Sequence, residues 1–195
     1  MAGNSPVVSG NGGTGAQGVL YSLTPHTKSL WTYKILHNFD LVDGDGAPLS
    51  PLTIINHELY GTSSIGHVGG PGGAVWKFSR PSKARAPWKK TLLYSFQGST
   101  DGAGPSGQLL PGPDGVLYGM TFSGGSANCG AVYKLKPPAS GKGSWTKTVL
   151  HDFAGQPDGC NPNNFGLAAN ADGTLFGTTV GGGANNAGTI FTLKP

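Results

Sequence analysis

Short apolar runs alternate with polar positions along the chain, and glycine-rich bends separate them. In the central part, the runs are PLTII (51–55), LYGTS (59–63), AVWKFS (74–79) and WKKTLLYSF (88–96). They are rich in Val, Ile, Tyr, Trp and Phe, and none has the length or the 3.6-residue period of a helix. The pattern therefore predicts four strands and no helix in this part of the chain.

The same pattern returns at a nearly constant interval. A leucine opens the second run of each copy at a spacing of 58 residues, and one tryptophan per copy recurs at a spacing of 57 (Leu59, Leu117, Leu175; Trp31, Trp88, Trp145). Four antiparallel strands in a repeat of this length are typical of a β-propeller blade. We therefore predict an all-β propeller of four-stranded antiparallel blades. Residues 1–195 would form one domain of about three and a half repeats: a partial one over about 1–30, then 31–87, 88–144 and 145–195.

Composition supports a folded chain with many turns. Glycine supplies 35 of 195 residues and proline 15, while 36% of the chain is hydrophobic and only 11% is charged. A disordered chain would need more charge and fewer apolar residues. Most glycines fit the bends between strands, but Gly61, Gly119 and Gly177 fall inside predicted strands, where the missing side chain allows another backbone to approach closely.

Two motifs and a linker resemble a known repeat family. The motifs are LFGTTVGGG (175–183) and GTIFTL (188–193), each with earlier counterparts, and in the earlier copies a tryptophan and an F…DG…P linker follow. They resemble the GloVer-type tandem repeats over nearly the whole chain. The resemblance implies propeller blades and a protein of bacterial origin that is secreted or surface-anchored. MAGNSPVVSGNGG, however, has neither the basic start nor the apolar segment of an export signal, so localisation stays open.

The repeat count leaves a question of closure. The chain is predicted to begin inside one blade and to stop after a third strand, whereas closed propellers have roughly four to eight blades. An open sheet end exposes unpaired backbone groups. Either the ends of one chain pair to close a small ring, or two chains share a larger one; we expect the homodimer.

Acidic residues cluster in the linkers on one predicted rim. Asp43 and Asp45, with Asp40 nearby, resemble the D-x-D-G opening of calcium loops, in which alternate carboxylates meet on one hard cation. The rest of an EF-hand is absent. Asp-Gly pairs are also ordinary turn residues, and this interpretation fits Asp101 and Asp158 because the pair recurs in three repeats.

A histidine and two cysteines lie on the same predicted rim. His67, in a glycine loop, is the candidate general base because imidazole titrates near neutral pH. Cys129 and Cys160 lie in adjacent loops and could form a disulfide, which would suit an exported protein. They could also be two free thiols in a reducing compartment.

Two hypotheses for function follow. The first is a hydrolase of a small lactone or ester, such as an acyl-homoserine lactone, in which calcium held by the aspartates polarises the carbonyl and His67 activates water. The second is a non-catalytic propeller that binds a glycan or another polar ligand at a rim containing Asn128, Asn161, Asn185, Asp101 and Asp158.

Other classes of function find little support. The chain carries none of the common hydrolase, phosphate-loop or zinc motifs. Its charge of +4 is not arranged as a basic stripe between exposed aromatics, so we expect no nucleic-acid partner. No apolar run approaches the roughly 18 residues of a membrane span, so we expect no membrane partner either.

Overall fold

The computed structural model describes residues 5–9, 13, 17–26, 30–40, 46, 48, 50–64, 72–83, 86–162 and 165–195. Within these residues the chain forms fifteen strands and two single turns of 3-10 helix, Ser99–Asp101 and Pro113–Gly115. No α-helix occurs in the described part. The all-β prediction is confirmed.

The strands follow the predicted order of short runs and glycine bends. The first seven are β1 (Ser5–Ser9), β2 (Val19–Pro25), β3 (Trp31–Asn38), β4 (Thr53–Ile55), β5 (Glu58–Ser63), β6 (Ala74–Ser79) and β7 (Lys89–Ser95). The next four are β8 (Ala103–Pro111), β9 (Leu117–Ser123), β10 (Ala131–Lys136) and β11 (Thr146–Asp152). The last four are β12 (Cys160–Pro162), β13 (Ala168–Ala169), β14 (Leu175–Gly181) and β15 (Thr189–Leu193).

These strands form four consecutive antiparallel sheets. The first sheet has the order β1-β2-β3, the second β4-β5-β6-β7, and the third β8-β9-β10-β11. In the fourth sheet, β12 and β13 both pair with one side of β14, and β15 pairs with the other side. The second and third sheets are thus complete four-stranded units of the predicted blade type. The predicted repeats begin at residues 31, 88 and 145, at or just before the last strand of a sheet, whereas the later sheets begin at β4, β8 and β12. That division into repeats stays a prediction.

The hydrophobic core lies between neighbouring sheets rather than inside any one of them. Three clusters of buried residues fill the three junctions from the first sheet to the fourth. Each junction contains one phenylalanine from the linker after an outer strand and one aromatic ring from the third strand of the next sheet. The ring centroids are 5.3 Å apart for Phe39–Trp76, 5.1 Å for Phe96–Tyr133 and 5.1 Å for Phe153–Phe191. The repeat in sequence is therefore a repeat of one packing contact.

The glycines inside the strands make room for these aromatic rings. Gly61 is the cross-strand partner of Trp76, and Gly119 and Gly177 pair in the same way with Tyr133 and Phe191. A methyl group at Gly61 would lie 2.7 Å from Cζ2 and 2.9 Å from Cζ3 of Trp76. The sequence predicted the close approach of a neighbouring backbone at these glycines, whereas the nearest atoms belong to an aromatic side chain of the neighbouring strand.

Candidate functional site

The order of the strands divides the loops between two rims. The glycine-loop rim carries the β5–β6, β9–β10 and β14–β15 loops together with the linkers that lead into β8 and β12. The turn rim lies at the other end of the strands and carries the β4–β5 turn and the β6–β7 link, which contains residues 80–88. The sequence placed its candidate site residues on the glycine-loop rim.

Asp101 lies on that rim and is held by groups of the protein itself. Its carboxylate accepts hydrogen bonds from the Tyr94 hydroxyl at 2.7 Å and from the Gln97 amide at 2.8 Å, and it forms an ion pair with Lys147. Burial by itself would raise the pKa of Asp101, but the bonds from Lys147, Gln97 and Tyr94 outweigh it and lower the pKa below its usual value. Asp101 therefore joins the second sheet to the third.

Asp158 occupies the same position one repeat later. Its carboxylate lies 3.0 Å from Nε2 of His151 and accepts a hydrogen bond from the Ala154 amide at 2.9 Å. The ring of His151 packs against Phe153, with centroids 4.7 Å apart. The pair of Asp158 and His151 thus repeats the pair of Asp101 and Tyr94.

The asparagines of this rim also contact their own backbone. Oδ1 of Asn128 accepts a hydrogen bond from the Gly124 amide at 2.9 Å, and Nδ2 of Asn161 donates one to the Phe122 carbonyl at 3.0 Å. Both residues have positive φ, as asparagine tolerates in tight turns. Asn185 is exposed in the last glycine loop. That these side chains also bind a ligand stays a prediction.

Cys129 and Cys160 form a disulfide. Cys129 lies near the end of the β9–β10 glycine loop and Cys160 begins β12, so the bond ties the third sheet to the fourth on the glycine-loop rim. The Asn161 amide donates a hydrogen bond to the Cys129 carbonyl at 2.8 Å beside it. Disulfides of this kind are typical of proteins in oxidising compartments.

The proposed calcium and base residues are described only in part. Asp43, Asp45 and His67 lie outside the described residues, and Asp40 is half-buried next to Phe39. Among the residues that the structure does describe, no group of three or more His, Cys, Asp and Glu side chains is placed to hold a metal ion. The calcium hypothesis stays a proposal.

The turn rim contains a cleft that the sequence did not indicate. It opens between the first and second sheets and has a volume of about 310 Å³. Leu36, Leu59 and Trp88 form its apolar side, and these three also border the hydrophobic cluster of the junction. A cleft of this size is at the lower end of the range for small-molecule sites.

Three basic side chains line the cleft: Lys34 from β3, His57 from the β4–β5 turn and Arg80 from the link directly after β6. No carboxylate lines it among the described residues. The nearest in sequence, Glu58, instead bonds to Lys77 at 2.9 Å and to the Tyr60 hydroxyl at 3.0 Å. Burial would raise the pKa of Glu58, but hydrogen bonds from Ser79, Lys77 and Tyr60 lower it. Within the part of the chain that the structure describes, no carboxylate lining the cleft offsets the charges of Lys34 and Arg80.

His57 has an unusual backbone conformation for its residue type. Its φ is 64°, in the left-handed region, and the equivalent positions in the next two sheets hold Gly115 (φ 74°) and Gly173 (φ 83°). Glycine adopts this conformation without cost, whereas other residues there cost of order 1 kcal/mol. A histidine at this position thus costs stability that a glycine would not.

The other two basic residues also depart from the repeat. Where the first cleft has Lys34, later copies have Thr91 and Thr148; where it has Arg80, they have Pro137 and Pro195. A cleft between the third and fourth sheets contains Gly173 and Pro195 at the positions of His57 and Arg80. On the third sheet, however, it is lined by the end of β8 and by Tyr118 rather than by β11, and both Asp172 and Lys194 line it. Comparing repeats at these positions, rather than searching for known motifs, would have found the site from sequence.

The four sheets and the repeated junctions define the chain as an all-β repeat protein built from propeller-type blades. The family model of the Gloeobacter/Verrucomicrobia repeat matches residues 2–195, and the chain belongs to that family. A comparison with curated proteins finds no match. Within the described residues, no helix is long and apolar enough to cross a membrane.

Proposed function

We propose that the chain is a non-catalytic binding module, and that the cleft on the turn rim binds a small anionic ligand with an apolar or ring face. The observation that carries the proposal is that Lys34, His57 and Arg80 replace the threonine, glycine and proline of the other copies around one cleft. A scaffold repeats its residues, so three coordinated departures at one place favour function over folding.

The charge of the cleft favours an anion. Lys34 and Arg80 both line it, and the guanidinium of Arg80 can bind a carboxylate or phosphate in a bidentate manner. His57 adds two ring nitrogens that donate when the imidazole is protonated. The apolar side formed by Leu36, Leu59 and Trp88 would contact the apolar face of the ligand. A uronic acid has both features, a carboxylate and a ring, and is the probe we choose.

Calorimetric titration with galacturonate tests the proposal, with neutral galactose as the matched ligand. We expect galacturonate to bind more tightly than galactose and its affinity to fall as salt is added. Arg80→Ala and Lys34→Ala should each weaken binding by about tenfold or more, as expected for loss of a charged hydrogen bond. Lys142→Ala, an exposed lysine away from the cleft, serves as the control and should bind as the unmodified chain does.

His57→Gly separates function from folding. Because glycine is the residue of the other copies at this left-handed position, the variant should unfold at a higher temperature and yet bind galacturonate less tightly. Equal affinity of galacturonate and galactose, or unchanged affinity in both Arg80→Ala and His57→Gly, would argue against an anion site in this cleft.

Calcium-dependent hydrolysis of a lactone or ester remains a second proposal, supported by the Asp43-Gly44-Asp45-Gly46 sequence. Its test is turnover of a panel of lactones with calcium and with chelator. The double change Asp43→Asn, Asp45→Asn should abolish turnover and any stabilisation by calcium. Activity that chelator does not alter would remove calcium from this proposal.

A further inference from the structure

The outer face of the fourth sheet exposes Ile190, a residue whose repeat equivalents are buried. Ile190 in β15 is 85% exposed, whereas its equivalents Val75, Val132 and Leu20 are each 0% exposed. Each of those three packs in the junction with the following sheet. Val180 and Phe176, at 59% and 37% exposed, lie on the same face of the fourth sheet as Ile190. We call Phe176, Val180 and Ile190 the leading face.

The first sheet exposes the complementary surface. Tyr21 and Leu23 of β2 are only half-buried. Their equivalents in the second sheet, Trp76 and Phe78, are 1% and 0% exposed because they pack on the preceding sheet. Tyr33, 53% exposed, lies beside Tyr21 with ring centroids 5.1 Å apart. We call Tyr21, Leu23 and Tyr33 the trailing face.

We infer that the leading face of one copy of this chain packs against the trailing face of a second copy. Three internal junctions already show this pairing, in which an aliphatic residue of one sheet faces the aromatic ring and the next apolar residue of the following sheet. Ile190 on the leading face and Tyr21 and Leu23 on the trailing face carry the residue types of these junctions at the same positions, whereas Tyr33 stands where the later repeats have Lys90 and Lys147. The occupant that fits each face is therefore the other face.

The type of contact limits the assemblies that it can form. The two faces differ, so the contact is heterologous, and heterologous contacts form closed rings or open filaments. Two copies bring eight sheets, within the roughly four to eight blades of propellers. A ring of two copies uses both faces of each chain and leaves neither exposed to water.

Sedimentation equilibrium of residues 1–195 tests the inference. We expect a mass twice the 19.8 kDa of one chain, with no growth as concentration rises. Ile190→Lys on the leading face and Tyr21→Lys on the trailing face should each shift the mass to a single chain. Leu92→Lys, at a site 50% exposed on the second sheet and on neither end face, is the control and should keep the mass of the unmodified chain.

A mixing experiment tests the head-to-tail arrangement and also guards against misfolded variants. The Ile190→Lys chain keeps its trailing face and the Tyr21→Lys chain keeps its leading face. Their mixture should therefore restore a species with the mass of two chains, although neither variant associates alone. A contact between two identical faces would give no such rescue.

Three results would overturn the inference. The first is a single-chain mass for the unmodified protein at every soluble concentration. The second is association that Ile190→Lys does not weaken. The third is a mixture of the two variants that forms no two-chain species, although each variant retains the strand signal in circular dichroism. Growth into larger species with concentration would overturn the closed pair. None of these measurements involves the cleft ligand.

Discussion

Adding one methyl group at Gly61 should destabilise the fold by a steric effect alone. The φ of Gly61 lies outside the left-handed range, so alanine is compatible with its backbone. The new Cβ, however, would lie 2.7 and 2.9 Å from two ring carbons of Trp76, whereas carbon atoms in contact prefer about 3.5–4.0 Å. Since three ring atoms are too close, the indole as a whole must retreat by about 1 Å.

The surroundings of Trp76 determine what that movement costs. The indole is 1% exposed and packs against Phe39 and Phe78, with centroids 5.3 and 5.2 Å away. Overpacking in such a core costs about 1–3 kcal/mol. The lower chain entropy of unfolded alanine returns about 0.4–1 kcal/mol. We therefore expect Gly61→Ala to lose about 1–2 kcal/mol of unfolding free energy, or about 2–8 °C in Tm for a chain of this size.

Urea denaturation followed by circular dichroism measures this loss. Gly177→Ala is the matched control, because its neighbour Phe191 is only half-buried and can move towards solvent; its loss should be smaller. A Gly61→Ala chain as stable as the unmodified one, or a larger loss for Gly177→Ala, would refute the idea that the strand glycines exist to seat the aromatic rings.

Two further predictions concern the glycine-loop rim. Replacing Cys129 and Cys160 by serine should cost about 3–4 kcal/mol of unfolding free energy, since the bond closes a loop with a sequence separation of 31; denaturation of the oxidised protein and of the double variant checks this, and equal midpoints would contradict it. Asp101 has a pKa lowered in the fold, so its contribution is present above the unfolded pKa near 4 and is lost as pH falls below that value. Melting temperatures of Asp101→Asn and the unmodified chain should therefore differ at neutral pH and converge as pH falls below about 4 and through the lowered pKa of Asp101. The neutral-pH difference should be smaller for Asp158→Asn, because its partner His151 is more exposed than Lys147. A difference that stays constant in acid would show that the charge of Asp101 is irrelevant.

The sequence alone determined the class of fold and the repeated unit. The spacing of Leu59, Leu117 and Leu175 can be read directly from the chain. The runs around them follow local rules, because the alternation of side chains along a strand and tight glycine turns each involve only a few residues. A close approach at the strand glycines was also predicted, but only the structure shows that an aromatic ring, rather than backbone, makes it. These features needed no knowledge of long-range contacts.

The sites depended on what the folded sheets bring together. From the sequence, Asp101 and Asp158 could be turn residues or ligand-binding carboxylates. Their hydrogen-bond partners include Lys147 and His151, which come from strands outside the two linkers and are known only from the fold. The cleft could not be found from motifs because Lys34, His57 and Arg80 come from three separate elements of two sheets.

Ile190 shows the same division. Its apolar character and place in the repeat can be read from the chain, and they predict a buried residue. Only the packing of four sheets shows that no neighbour within the described residues covers it. The local pattern determines which face of a strand is apolar. Burial of that face requires a second surface, which the tertiary structure or a partner must supply.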